Sequence, residues 1–345
     1  MKILIIKLGA LGDVLRTSFI AKGLKKKHNA EIFWLTKEIA MSLLKNNPYI
    51  DKIITWKEKE QLLEEEFNWI ISLDDEEEVC SFAKKLKTKK FQGAYVNNKG
   101  ERSYTPDVEA WFGMGLLRHK EQGGKEKADE LKKLNRKTFQ DIYAGIFELS
   151  EMSTEEKRPK IYFDNKEKEF GEALAKEKWI NKSNKIIGVN TGASKRWPLK
   201  MISVKKTAII CNELAKDNNN KILLLGGTDE EERNHEIKAL CSKENIIVIE
   251  PRQSIREFAG IVNLCNLIIT ADTLALHIAL ALNKKTIVFF GPTSPWEIEM
   301  FGLGKRIYKE TPCLCCYKNT SEQEPNCIDI IEPEDILVLA KEMIK

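Results

Sequence analysis

The chain opens on an uninterrupted apolar run, Ile3 to Ile6, between Lys2 and Lys7. Such a run, with no polar alternation, predicts a parallel strand buried on both faces. Gly9 and Gly12 break it. From Asp13 onward Val14, Leu15, Phe19, Ile20 and Leu24 recur at helical spacing. The pattern reads strand, glycine turn, helix. Further strands are predicted at 31–36, 52–55, 68–73 and 91–96, with helical patterns between several of them. The second half repeats the theme, with strands at 185–190, 221–225, 245–249, 267–270 and 286–290. Helices fall near 201–216, 230–242, 254–264 and 274–282, and a last one over 333–344 starts at Pro333, a favoured first helical position. Strands alternating with helices predict an α/β architecture with mainly parallel sheets.

Two domains follow from the same pattern. Residues 151–160 (EMSTEEKRPK) are polar and carry a proline, which places a linker there and divides the chain into 1–160 and 161–345. The last helix is a candidate to pack back on the N-terminal domain. Residues 97–127 are irregular and contain Gly113, Gly115, Gly123 and Gly124, long for a structureless loop and therefore a functional candidate. A single helix is expected over 127–149. A ligand cleft between two such domains is the default expectation.

Composition narrows the class. The 345 residues carry 56 basic and 52 acidic side chains, a net +4, too even for a dedicated nucleic-acid binder. With 42% hydrophobic and 31% charged residues the chain is neither disordered nor fibrous. No apolar run approaches the roughly 20 residues of a membrane-spanning helix. The apolar run within Met1–Leu8 is too short for a signal-peptide core, so a cytoplasmic protein is expected. Cys80, Cys211, Cys241 and Cys265 are scattered through apolar segments and read as reduced core residues, which fits a cytoplasmic enzyme better than a disulfide scaffold.

Candidate chemistry gathers in turns that follow strands. In Gly9-Ala10-Leu11-Gly12-Asp13 the carboxylate suits either a general base or a helix N-cap. A helix N-terminus would stabilise that carboxylate and weaken it as a base. Neither a G-x-G-x-x-G nor a P-loop is present. Asn190-Thr191-Gly192-Ala193-Ser194-Lys195-Arg196 joins a close-approach glycine, hydroxyls and adjacent cations, a composition suited to a diphosphate or to a solvated loop. Gly226-Gly227-Thr228-Asp229-Glu230-Glu231 offers carboxylates for ribose hydroxyls or for an ordinary first helical turn. Asp272-Thr273 precedes a helix whose amides can face an anion, and His277 lies on its otherwise apolar run, where a core histidine is the plain alternative. Gly291-Pro292-Thr293 adds a further turn with a hydroxyl.

Taken together, KILIIKLGALGDVLRT, NTGASKRWPL, LLLGGTDEEER, DTLALHIALAL and FFGPTSP resemble the heptosyltransferase family of bacterial glycosyltransferases, family nine. The motifs keep the family's order from Lys2 to about Pro295. The resemblance implies a GT-B-like fold of two Rossmann-like domains facing across a cleft, an acceptor domain followed by a nucleotide-sugar donor domain. It implies metal-independent, inverting transfer of a sugar, typically heptose from ADP-heptose, to a lipopolysaccharide core or related glycan acceptor, with no cofactor. Carried over by residue, Asp13 is the base, with Gly12 and Arg16 on the acceptor side. Lys195 binds the diphosphate beside Thr191, Gly192, Ser194 and Arg196. Glu230 or Glu231 meets the ribose. Asp272, Thr273 and His277, with Gly291 and Thr293, complete the donor site. The family commonly has glycine directly after the Asp-Thr pair, whereas this chain has Leu274.

Other features point elsewhere. Asp74-Asp75-Glu76 after a strand reads as a helix start or as a divalent-metal site of a metal-dependent transferase. Cys313, Cys315, Cys316 and Cys327 cluster, and the C-x-x-C spacing suits structural zinc. Lysine runs at 25–27 and 84–90 read as solvated helix faces or as a peripheral contact with an anionic inner membrane. The alternative functions are another GT-B enzyme, such as a nucleotide-sugar epimerase, and a catalytically silent nucleotide-sugar-binding protein.

Overall fold

The computed structural model describes residues 1–344. The chain forms two compact units, Met1–Tyr162 with Trp296–Glu299, and Phe163–Pro295 with the residues from Met300 onward.

In the first unit the order is β1 (Lys2–Ile6), α1 (Leu11–Thr17), α2 (Phe19–His28), β2 (Glu31–Thr36), α3 (Glu38–Leu44), β3 (Lys52–Thr55), β4 (Glu66–Ser72), α4 (Glu77–Ala83), β5 (Lys87–Val96), β6 (Arg102–Tyr104), α5 (Glu109–Phe112), α6 (Gly124–Leu134) and α7 (Phe139–Ile146). The sheet runs β3-β2-β1-β4-β5-β6, parallel except for β6. Its central strand explains the apolar opening. Ile3 and Ile5 enter one core with Trp34, Ile71, Phe139 and Tyr143, while Leu4 and Ile6 enter another with Phe33, Leu35 and Ile70. Each such buried side chain is worth about 1.5–3 kcal/mol, so β1 is fixed in register on both faces.

The second unit contains α8 (Asn165–Glu177), β7 (Lys185–Asn190), α9 (Val204–Leu214), β8 (Asn220–Leu225), α10 (Glu231–Ala239), β9 (Ile246–Val248), α11 (Ile255–Leu264), β10 (Leu267–Ala271), α12 (Leu274–Ala281), β11 (Lys285–Phe289), β12 (Gly304–Ile307) and α13 (Pro333–Ile344). Its all-parallel sheet runs β12-β11-β10-β7-β8-β9. Both sheets therefore have the Rossmann strand order. Each reverses direction beside its first strand, between β1 and β4 and between β7 and β10. Turns at the carboxyl ends of these strands are where such sheets hold ligands.

Three expectations are corrected. The helix expected over 127–149 is two helices, because Asn135 is extended and Thr138 caps α7, its Oγ1 accepting the Asp141 N–H at 3.1 Å. The last helix packs within its own unit, where Ile336, Leu337 and Ala340 join the core formed by β7, β8, β10 and β11. The C-terminal segment that belongs to the first unit is instead Trp296–Glu299. There Phe139 N–H donates to Glu297 O at 2.9 Å and Arg136 lies 3.8 Å over the Trp296 ring. Finally, α8 was not expected. It is held by the Asp164–Glu167 capping box and by a buried Glu167–Arg256 ion pair to α11.

Candidate functional site

The switch point of the first sheet is closed by charge. The buried ammonium of Lys7, just past β1, pairs with the carboxylate of Asp74, just past β4, and the same carboxylate accepts the Leu8 N–H. Burial works against the Lys7 charge, but Asp74 and then Asp13 outweigh it and hold its pKa above the usual lysine value. Asp74 is thus an interior partner of Lys7, and Glu76 holds the N-cap position of α4 without a side-chain cap.

The glycine turn then delivers Asp13. The N-cap of α1 is Ala10, so Asp13 is not the cap but lies in the first turn, with Gly12 before it. Its carboxylate stays 36% exposed, and Oδ1 lies 2.8 Å from Nη2 of Arg16 one turn on. The Arg16 guanidinium is nearly buried, 4.0 Å over the Phe139 ring and 5.6 Å from that of Trp111. The result is an accessible carboxylate whose orientation is set by an arginine clamped on an aromatic floor.

In the second unit the turns after β7, β8 and β10 are cross-linked. Asn190 Nδ2 donates to Gly192 O at 2.9 Å and reaches the hydroxyls of Thr270 and Thr273 at 3.3 and 3.4 Å. Thr191 Oγ1 donates to Asn234 Oδ1 at 2.5 Å. Arg233 donates to the carbonyls of Thr191 and Ile202. Burial lowers the Arg233 pKa, with Glu236 and Glu230 opposing the shift. Glu230 is the hinge of the set. Its buried carboxylate accepts Gly227 N–H at 2.8 Å and Ser194 N–H at 3.1 Å. A Cβ on Gly192 would lie 1.9 Å from Glu230 Cγ. Glycine at 192 therefore makes room for Glu230.

Between Glu230 and Glu231 the sequence leaves the register open. The structure puts Glu230 among the turns and Glu231 at the start of α10, beside His235 and Glu250. Asp272 is mostly buried. Lys200 Nζ donates to its carbonyl at 2.9 Å and to Oδ2 at 3.1 Å, and His277 Nε2 lies 3.8 Å from Oδ1. Thr273 caps α12. Gly291 fits against Leu199, since a Cβ there would lie 2.6 Å from the Leu199 carbonyl oxygen. Thr293 is buried in the same turn. Lys195 stands apart: its side chain is 85% exposed, and its ion-pair partner is Asp229 at 3.9 Å. Arg196 is exposed beside Trp197.

The model of glycosyltransferase family 9 (heptosyltransferase) matches residues 120–326, more than half of the chain. The chain belongs to this family. It is a glycosyltransferase. Lipopolysaccharide heptosyltransferase 1 of Campylobacter coli is 26% identical over 376 aligned positions that cover 99% of each chain. A family 9 glycosyltransferase from Veillonella parvula has the same fold, with a TM-score of 0.77 at 16% identity over 99% of this chain and 97% of that one. The ADP-heptose lps heptosyltransferase II of E. coli superposes with a TM-score of 0.71 at 17% identity, over 100% of this chain and 98% of that one. GT-B architecture in this glycosyltransferase accords with these neighbours.

Two further segments singled out in the sequence have defined surroundings in this heptosyltransferase-family chain. Lys25, Lys26 and Lys27 are paired with Asp51, Glu156 and Glu148, so that run is charge-balanced on the protein itself. Cys313, Cys316 and Cys327 lie near one another in the cysteine-rich segment. Cys327 hydrogen-bonds with Cys313, while among the described residues the group of three ligand atoms within 4.8 Å of one another is Glu231, His235 and Glu250. Cys316 also acts on the Cys327 thiol, so three of the four clustered sulfurs are neighbours. Sequence reasoning missed Lys7, Lys200 and Asn234, and gave no role to Asn190 or Arg233 within the motifs that contain them. Only their positions at strand ends or one turn beyond a motif marked them.

Proposed function

We propose that this chain is an inverting heptosyltransferase that moves heptose from ADP-heptose to a lipopolysaccharide core or related glycan acceptor, without a metal ion. The near full-length likeness to lipopolysaccharide heptosyltransferase 1 supports the reaction class, and the fold shared with the E. coli ADP-heptose enzyme supports the donor. The observation that carries the proposal is Asp13, an accessible carboxylate at a sheet switch point with its direction fixed by Arg16.

In the proposed reaction Asp13 takes the proton of an acceptor hydroxyl as the oxygen attacks the anomeric carbon. The bond to the donor diphosphate breaks on the opposite face, and configuration inverts. Arg16, with Gly12, orients Asp13 on the acceptor side. Lys195 and Arg196 reach from their exposed positions to the departing diphosphate, supported by Thr191, Gly192 and Ser194. The amides that follow Asp272 and Thr273, with Gly291 and Thr293, receive the same charge, and His277 stays beside Asp272. Cationic and amide donors of this kind stabilise a leaving anion without a metal ion. Glu230, rather than Glu231, meets the ribose in this reading, because it lies among the turns after β7 and β8.

No helix among the described residues is long and apolar enough to cross a membrane. For a cytoplasmic enzyme with a glycolipid acceptor, we propose peripheral contact with the inner face of the inner membrane. Salt-sensitive sedimentation with anionic vesicles tests that contact, and no sedimentation at low salt contradicts it. ADP release from ADP-heptose in EDTA, dependent on a heptose-free core acceptor, tests the reaction. Transfer from a UDP- or GDP-sugar instead would retain the family and discard the donor.

A further inference from the structure

The start of α12 presents a physical problem for an anion. Its first amides have no intrahelical partner, as at every helix start, and they favour negative charge. Yet the Asp272 carboxylate stands beside them and would repel a phosphate. Leu274, the first residue of α12, also carries a side chain where a closely approaching backbone would be bare. Lys200 answers both difficulties. Its side chain is 11% exposed, and its ammonium is pinned by the carbonyl and the carboxylate of Asp272. Two of its three N–H donors are thereby used, which leaves one for a ligand. The Trp197 ring lies 5.0 Å from Nζ and limits its freedom.

A second observation points to the same place. Thr293 Oγ1 and Ser294 Oγ are buried without a hydrogen-bond partner. Buried hydroxyls are normally satisfied. Both belong to the turn after β11, the strand beside β10, and Gly291 seats that turn against Leu199, the neighbour of Lys200. A cation, free helix amides and unsatisfied hydroxyls thus share one sheet edge. Lys195, by contrast, is solvent-exposed and loosely paired.

We propose that Lys200 is a donor-phosphate-binding residue of this chain. It cancels the Asp272 charge and offers its remaining N–H to the diphosphate, adding a cation to the helix amides where Leu274 replaces a bare glycine. The inference rests on the reading that the second unit binds a nucleotide-sugar diphosphate.

The test compares ADP with adenosine by calorimetry on the full-length protein and two variants. Lys200→Gln can still donate to the Asp272 carbonyl, so the turn stays closed while the charge is lost. It should weaken ADP about tenfold to a hundredfold, as expected for a charge-assisted hydrogen bond, and leave adenosine unchanged. Lys200→Arg should keep most of the preference for ADP. An unchanged ratio of ADP to adenosine affinity in Lys200→Gln overturns the role of Lys200, as does an equal loss of both ligands, which marks a structural residue. A wild-type protein that binds no nucleoside diphosphate overturns the donor reading, and this inference with it.

Discussion

Glu230 occupies the space that a side chain at residue 192 would need: a Cβ on Gly192 would lie 1.9 Å from Glu230 Cγ and 2.2 Å from its Oε1. The same carboxylate accepts the N–H groups of Gly227 and Ser194, so one acidic residue joins the turns after β7 and β8. Gly192→Ala should cost about 1–3 kcal/mol by overpacking. Glu230→Ala should cost a similar amount by leaving two N–H groups without an acceptor. The double variant should be less destabilised than the sum of the two, measured by urea denaturation. Strict additivity would show that the two residues do not share this space.

The Lys7–Asp74 pair should be a main anchor of the first unit. Removing one partner of a buried pair costs about 3–5 kcal/mol, so Asp74→Asn should be strongly destabilised at neutral pH. The sign of the pH dependence follows from the raised pKa of Lys7. A raised basic pKa contributes stability that is fully present below the unfolded value, about 10.4, and is lost as pH rises through the folded value. The gap between wild type and Asp74→Asn should therefore persist through neutral pH and narrow in strong alkali. A gap that closes between pH 6 and 8 would contradict the assignment.

Arg16 should act through Asp13. Arg16→Ala removes the 2.8 Å contact and the guanidinium over Phe139. Misorientation of a reacting group costs about tenfold to a hundredfold, so kcat should fall by that factor while donor affinity holds. Arg16→Lys should restore little, because an ammonium lacks the planar stack. Steady-state kinetics with ADP titration separates the two effects.

Burial should protect the interior thiols. Cys80 and Cys265 are pushed up to about 12 by burial, and so is Cys327, with Cys313 adding to its shift. Since the thiolate is the nucleophile, iodoacetamide at pH 8 should spare these three in the native protein and label them in denaturant. Rapid native labelling of Cys327 would show that the 313–327 segment opens. Metal analysis of protein purified without added zinc tests the cluster around Cys327: one equivalent of zinc assigns it a metal, and a substoichiometric amount leaves it as free thiols.

Much of the fold was legible because each sheet has a continuous apolar central strand and a turn signal after it. β1 and β10 read directly as buried strands, and Pro333 marked the last helix. The misses have local causes. α8 buries only Glu167 and Gly171, so no apolar stripe announces it. β12 is an edge strand of four residues with two exposed charges and one core side chain, Ile307, too few to show a period. The helix over 127–149 was drawn through Asn135 because hydrophobic spacing resumes in α7 beyond the break. Within the site, the turns at Asp13, Thr191, Glu230 and Asp272 were visible as motifs. What ties them together was not. Lys7–Asp74, Glu230–Gly192 and Lys200–Asp272 join residues 67, 38 and 72 positions apart, and only the Rossmann strand order brings such pairs to one sheet edge.

The most direct test of the account is transfer by Asp13→Asn. The substitution keeps the shape of the side chain and removes its charge. With ADP-heptose, a heptose-free lipopolysaccharide core acceptor and EDTA, wild type should release ADP as it glycosylates the acceptor. Asp13→Asn should bind ADP as wild type does and lose transfer by at least about a hundredfold, within the range for a general base. Transfer by Asp13→Asn near the wild-type rate would contradict the assignment of Asp13, and with it the central claim.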